Sequence, residues 1–246
     1  MRTRILITGA AGNLGGKLVA HFRAQGRVVT GIDRRNRFSV TDLVDLATPD
    51  AAWTELFSGQ DAVLHLAANS NPHISADIAA ENLTIDRNVA AACAAQNVPR
   101  LIFASSQWTM QGYFGSGRVF EEHLPPRPST PYGEAKVQSE EELRHFKGTC
   151  LCLRVGHTAW RNRRRLLPPD EDHRHAWLSD RDLCSAFQRA VDSNFEGYTV
   201  LNITSANRGS RWPIARARQL IGYRPRDGTS FIDAFWGRFR SQGRLS

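Results

Sequence analysis

The stretch RILITGAAGNLGG, residues 4–16, constrains this chain more than any other. A short apolar, β-branched run passes without a break into glycines spaced Gly9-x-x-Gly12-x-x-Gly15. The apolar, helix-periodic residues that follow predict a strand, a tight turn and a helix. Glycine lets such a turn close and lets a pyrophosphate approach the backbone. The helix N-terminus adds N–H donors and the positive end of its dipole. An ordinary tight turn is the alternative, but the position between strand and helix favours a phosphate loop. Gly9, Gly12, Asn13, Leu14 and Gly15 are therefore candidate cofactor-binding residues.

The rest of the chain alternates in the same way. RILIT (4–8), RVVTGI (27–32), AVLHLA (62–67), RLIFAS (100–105), CLCLRV (150–155) and YTVLNI (198–203) read as strands, apolar on both faces. Such strands belong in a parallel sheet covered on both sides. Helical patterns fall at 12–26, 78–96, 132–146 and 180–193. The expectation is α/β: a doubly wound parallel sheet of the Rossmann type, residues 1–246 as a single domain, with a small C-terminal substrate-binding part. Two long irregular stretches, 107–130 and 156–180, follow the carboxyl ends of strands. Ligands bind there in such sheets, so these stretches are the expected substrate-binding elements.

Asp33 closes the second strand, 18 residues beyond Gly15. A carboxylate there accepts hydrogen bonds from the adenosine ribose and repels a 2′-phosphate, which favours NAD. Arg34 and Arg35 follow at once and suit a 2′-phosphate, so NADP stays open. Asp42-Leu43 ends a short third element, where its side chain could reach the adenine; a helix N-cap is the alternative.

In STPYGEAK, residues 129–136, a proline suited to open a helix precedes Tyr132 and Lys136. Spaced at i and i+4, the two share one helix face. A cation there favours ionising a phenol, whose ordinary pKa is about 10. The bland alternative is two solvent-facing residues.

Taken together, TGAAGNLG (8–15), Asp33, DL (42–43), HLAA (65–68), Asn82, ASS (104–106), YGEAK (132–136) and LRVG (153–156) resemble the short-chain dehydrogenase/reductase superfamily in its extended, epimerase-like branch. The likeness covers essentially the whole chain. Within that branch, IFASSQW, LRVGHTAW, HRHAWLSDRD and LIGYRPRDG resemble the uronate dehydrogenases. The resemblance implies an NAD-dependent enzyme that oxidises a sugar hydroxyl, foremost a uronic acid at C1 to its lactone. It implies Tyr132 as general base, Lys136 as its electrostatic partner and holder of the nicotinamide ribose, and Ser106 rather than Ser105 as the hydroxyl on the reacting oxygen. Leu66, Ala67, Ala68 and Asn82 join the cofactor-binding set by the same likeness. Ser70, Gln107, His157 and Arg174 fall where those enzymes contact sugar, with Arg174 matching a carboxylate clamp. Gln107, Trp108 and His157 depart from the expected Asn, His and Ser, which bears on the sugar rather than the chemistry. His157 is either a hydroxyl ligand or a loop histidine. Arg174 is either a substrate clamp or a partner of Asp170, Glu171 or Asp172. Homodimers are also implied, through small residues such as AAACAA.

Composition closes off other classes. The net charge is +8, yet only Lys17, Lys136 and Lys147 among 32 basic residues are lysines. The arginines are spread along the chain, so nucleic acid is not the expected partner. The run RNRRR (161–165) reads as a solvated loop, or else as a contact for an anionic substrate. The aromatic and arginine-rich tail FWGRFRSQGRLS reads as a docked terminus. No apolar run approaches the ~18 residues of a membrane span. The start MRTRILITGAAG lacks the apolar core of a signal peptide, and the four cysteines fit no disulfide or zinc pattern, so a cytoplasmic, metal-free protein is expected. Two rival readings remain: an epimerase or reductase of the same superfamily, and a dinucleotide-sensing protein that has lost catalysis.

Overall fold

Strands apolar on both faces need cover on both, and the computed structural model, which describes residues 2–158 and 171–229, supplies it. Seven strands form one sheet: β1 (Arg4–Thr8), β2 (Val28–Asp33), β3 (Asp42–Leu43), β4 (Ala62–His65), β5 (Arg100–Ser106), β6 (Thr149–Val155) and β7 (Tyr198–Ile203). Their order is β3-β2-β1-β4-β5-β6-β7, and every neighbouring pair is parallel. The chain steps outward from β1 to β3 and then crosses back to β4. Thr8 sits opposite both Ile32 and His65, so the crevice of this switch opens just beyond it.

Side-chain alternation divides the core. Ile5, Ile7, Leu64 and Leu153 pack with Leu18 and Phe22 of α1 (Asn13–Ala24), Phe187 of α6 (Asp180–Asp192) and Ile221 of α7 (Ala215–Ile221). Leu6, Val63, Phe103 and Cys152 point the other way. They pack with Trp53 of α2 (Ala51–Thr54), Val89 of α3 (Ala76–Ala95) and Leu143 of α4 (Pro131–Leu143). A five-residue helix, α5 (Glu171–His175), stands near the carboxyl end of β6.

The expected helices are present, and α4 begins at Pro131 with the Thr130 hydroxyl accepting the Gly133 N–H at 3.2 Å. The fourth strand stops at His65, short of the expected 67. The N–H groups of Leu66 and Ala67 turn to the Thr8 hydroxyl, each at 3.1 Å. The stretch 107–130 is not wholly irregular, because it opens with a 3-10 helix, Gln107–Tyr113. RNRRR, residues 159–170 of the second substrate stretch, and the C-terminal tail lie outside the described residues.

Candidate active site

The glycine loop is built by close approach. Gly9 has φ +68°, and a Cβ there would lie 2.8 Å from the Ala67 nitrogen and the Leu66 carbonyl carbon. Only glycine lets this turn cross the end of β4. Helix α1 then starts with no side-chain cap and no acidic residue in its first turn. Gly9, Gly12, Asn13, Leu14 and Gly15 all line a cavity of about 930 Å³. Uncapped N–H groups at the head of a twelve-residue helix fit a pyrophosphate.

Asp33 lines the same cavity and is nearly buried. Its Oδ2 accepts the Ala11 N–H at 3.0 Å and its Oδ1 the Arg35 N–H at 2.9 Å. The Arg35 guanidinium adds a longer contact to Oδ1 at 3.5 Å, and since a carboxylate has about four acceptor positions, Oδ2 keeps room for a ribose hydroxyl. Arg34 and Arg35 also line this edge, Arg34 paired with Glu81 at 3.1 Å and Arg35 lying 3.5 Å from Asp33. The residues present therefore fit a dinucleotide.

The adenine side differs from expectation. Asp42 and Leu43 are absent from the lining, because they are taken up as β3 against Ile32 and Asp33, with Leu43 exposed. The same dipeptide recurs three residues on, and this second copy, Asp45-Leu46, lines the cavity just past the strand end. Leu66, Ala67 and Ala68 also line the cavity. Asn82, on α3, accepts the Asn69 N–H at 2.7 Å and donates to the Asn69 carbonyl at 3.0 Å. It thereby pins the loop that carries Ser70 to the cavity wall.

Ser106, Tyr132 and Lys136 come together in the lining of this cavity. The two serines of β5 part company. Ser105 donates to Glu140 at 2.5 Å, inside a buried network in which Arg154 grips the same carboxylate at 2.9 and 2.7 Å. The Ser106 hydroxyl accepts the Trp108 N–H at 3.2 Å, at the mouth of the sheet. Helix α4 can approach because residue 133 is glycine: a Cβ there would lie 2.6 Å from the Trp108 carbonyl oxygen. Lys136 is 3% exposed, with its ammonium 4.3 Å from the centre of the Phe103 ring and 3.5 Å from the Asp86 carboxylate.

At the far end, Gln107, Trp108, His157 and His173 line the cavity. Gln107 is 3% exposed, and its side-chain carbonyl oxygen has no hydrogen-bond partner among the described residues. His157 is held by a bridge to the segment after α5: its N–H donates to Ala176 and its carbonyl accepts from Leu178, both at 2.8 Å. The His173 ring lies 5.5 Å from Trp108, 5.4 Å from Phe114 and 6.1 Å from His157. Arg174 does not line the cavity. Adjacent helical residues point about 100° apart, and α5 turns His173 inward. Asp172, one of the partners weighed for Arg174, is held instead by Arg211 at 3.0 Å. Asp45, Leu46 and His173 are among the lining residues that the sequence does not single out, and Asp86 lies behind the lining against Lys136. The repeated dipeptide is a visible signal for the first two.

The family model for the NAD dependent epimerase/dehydratase family matches residues 5–158. An L-arabinose 1-dehydrogenase (NAD(P)(+)) of Haloferax volcanii is 32% identical over 251 residues, spanning 93% of this chain and 98% of the relative. A uronate dehydrogenase of Pseudomonas putida is 28% identical over 243 residues, spanning 94% of this chain and 87% of the relative. Among solved structures, a glucuronic acid dehydrogenase from Chromohalobacter salexigens superposes with a TM-score of 0.81 at 25% identity, over 100% of this chain and 91% of that one.

Proposed function

This chain belongs to the NAD dependent epimerase/dehydratase family, and from that premise we propose that it oxidises the anomeric hydroxyl of a cyclic uronic acid to the lactone, with NAD as cofactor and NADP as a second. One observation supports the reading: Ser106, Tyr132 and Lys136 line one cavity together with the glycine loop and with Gln107, His157 and His173.

Bound nicotinamide supplies the acceptor for the hydrogen that leaves C1 with its electron pair. Tyr132 takes the proton of the anomeric hydroxyl as the carbonyl forms. Ser106 donates to the same oxygen and fixes its distance from the phenol. Lys136 places a positive charge beside the phenol and holds the nicotinamide ribose hydroxyls. The buried, unpartnered oxygen of Gln107 accepts from a second sugar hydroxyl. His157 and His173 occupy the wall position anticipated for Arg174, and we assign the sugar carboxylate to that wall. Asp45 and Leu46 stand in for Asp42 and Leu43 at the adenine. Asp33 takes the adenosine ribose, and Arg34 and Arg35 make room for a 2′-phosphate.

We also propose one domain, a cytoplasmic location and a homodimer. All four cysteines are free, as a reducing compartment maintains them. Exposed alanines 91, 94 and 95 on α3 allow close helix packing between copies. Among the described residues, no helix is long and apolar enough to cross a membrane. Light scattering of the purified chain tests the dimer.

The substrate test compares glucuronate and galacturonate with the matching neutral aldoses, following absorbance of the reduced nicotinamide. Uronates should exceed aldoses in kcat/KM by roughly 10- to 150-fold, the worth of a charge-assisted hydrogen bond. Equal rates would move the substrate to a neutral sugar. Epimerised sugar without net reduction would make the chain an epimerase.

A further inference from the structure

We infer that Asp86 is the buried counter-charge of Lys136: a positioning residue that fixes the ammonium beneath the cavity and keeps it protonated. Hydrogen-bond arithmetic locates the charges. The Thr8 hydroxyl accepts two N–H groups, from Leu66 and Ala67. With both lone pairs used, its own proton must point to His65 Nδ1, 2.7 Å away. His65 then carries its proton on Nε2 and donates it to Asp86 Oδ1 at 2.8 Å. The imidazole is neutral and brings no cation to the carboxylate. Ser139 donates to Oδ2 at 2.6 Å and is neutral too. Among the described residues, the cation left beside Asp86 is Lys136, 3.5 Å from Oδ2, with both side chains 3% exposed. A carboxylate and an ammonium this deeply buried each require the other.

The neighbouring charges do not compete. Burial pushes the Asp86 carboxyl up, but the Lys136 ammonium and the hydrogen bonds from His65 and Ser139 hold it below its usual value. Glu142, which feels Asp86, is met by Arg87 at 2.9 and 2.6 Å. Glu140, the other buried carboxylate of α4, is taken by Arg154. Asp86 itself does not line the cavity, whereas Lys136 does. Its influence on cofactor and sugar therefore passes through the lysine. The same chain of contacts ties Thr8, the last residue before the glycine loop, to the catalytic end of α4.

The inference rests on the dehydrogenase reading only for its effect on turnover. With three lysines in the chain, ¹⁵N-lysine labelling gives a readable NMR titration of Lys136 in the full-length protein. In Asp86→Asn, the pH at which Lys136 loses its proton should fall by about 1–3 units, and kcat/KM should gain a falling alkaline limb. Ser139→Ala removes a hydrogen bond to the same carboxylate but no charge, so its Lys136 titration should stay that of wild type. Identical Lys136 titrations in wild type and Asp86→Asn, or an equal shift in Ser139→Ala, would reduce Asp86 to packing. A wild-type protein that oxidises no sugar with either cofactor would sink the dehydrogenase reading, while the titration still decides the role of Asp86.

Discussion

Ser105 and Ser106 are one position apart on β5 and face opposite sides of the sheet, as strand side chains must. Both residues line the cavity, but the Ser105 hydroxyl donates to Glu140, whereas the Ser106 hydroxyl accepts the Trp108 N–H and keeps its own proton to give. From the residues alone the two compete, since a hydroxyl has no periodic signature of its own. Arg174 and His173 show the same limit. Which of two neighbours faces the cavity depends on how a five-residue helix is rotated, and so short a helix has too little apolar pattern to reveal it. Asp33 is legible because a strand, a glycine loop and a carboxylate at a set distance define one another. Replacing it with alanine should raise KM for NAD by roughly 10- to 150-fold and relax discrimination against NADP, because a charge-assisted acceptor and its repulsion of a 2′-phosphate both disappear. Kinetics with both cofactors measure this, and an unchanged preference would place the ribose elsewhere.

At the scale of elements, what brings Tyr132 to Ser106 is the fit of α4 against the 3-10 helix that follows β5. Gly133 makes that fit possible. Gly133→Ala would set a Cβ 2.6 Å from the Trp108 carbonyl oxygen, so one of the two elements must shift. A displacement near 1 Å at a reacting group costs about 10²-fold in rate. The expected outcome is a folded protein by circular dichroism with kcat reduced by about that factor and little change in cofactor affinity. Full activity would mean that α4 has more freedom than the contact implies. The long elements are readable because they are buried on one stripe or on both faces. The short ones are not. Helices α2 and α7 span four and seven residues, too few to show a period. The lining dipeptide lies three residues past its expected place because the chain carries the same dipeptide twice. The first copy is β3 itself, and only its pairing with β2 decides which copy lies beyond the strand end.

At the scale of the whole molecule, the sheet order and the cofactor half follow from local signals repeated along the chain, whereas the sugar wall does not. Phe114 belongs to the stretch after β5, His173 to α5 and Trp212 to the segment after β7, yet the Phe114 ring meets both of the others edge to face. Asp172 binds that wall by accepting the Gly115 N–H at 2.6 Å and pairing with Arg211. Contacts among three distant segments leave no trace in the composition or spacing of any one of them. This is why the chemistry is plain in the sequence while the sugar contacts are not. In the proposed reaction Tyr132 takes the proton while the hydrogen on C1 of the sugar leaves with its electron pair for good. The most direct test gives the protein and NAD a uronic acid deuterated at C1, with Tyr132→Phe in parallel. Deuterium should accumulate in the reduced nicotinamide, with lactone formed in equal amount, and Tyr132→Phe should be slower by roughly 10²–10⁴-fold. Deuterium returned to the sugar without net reduction, or a Tyr132→Phe protein as fast as wild type, would contradict the account.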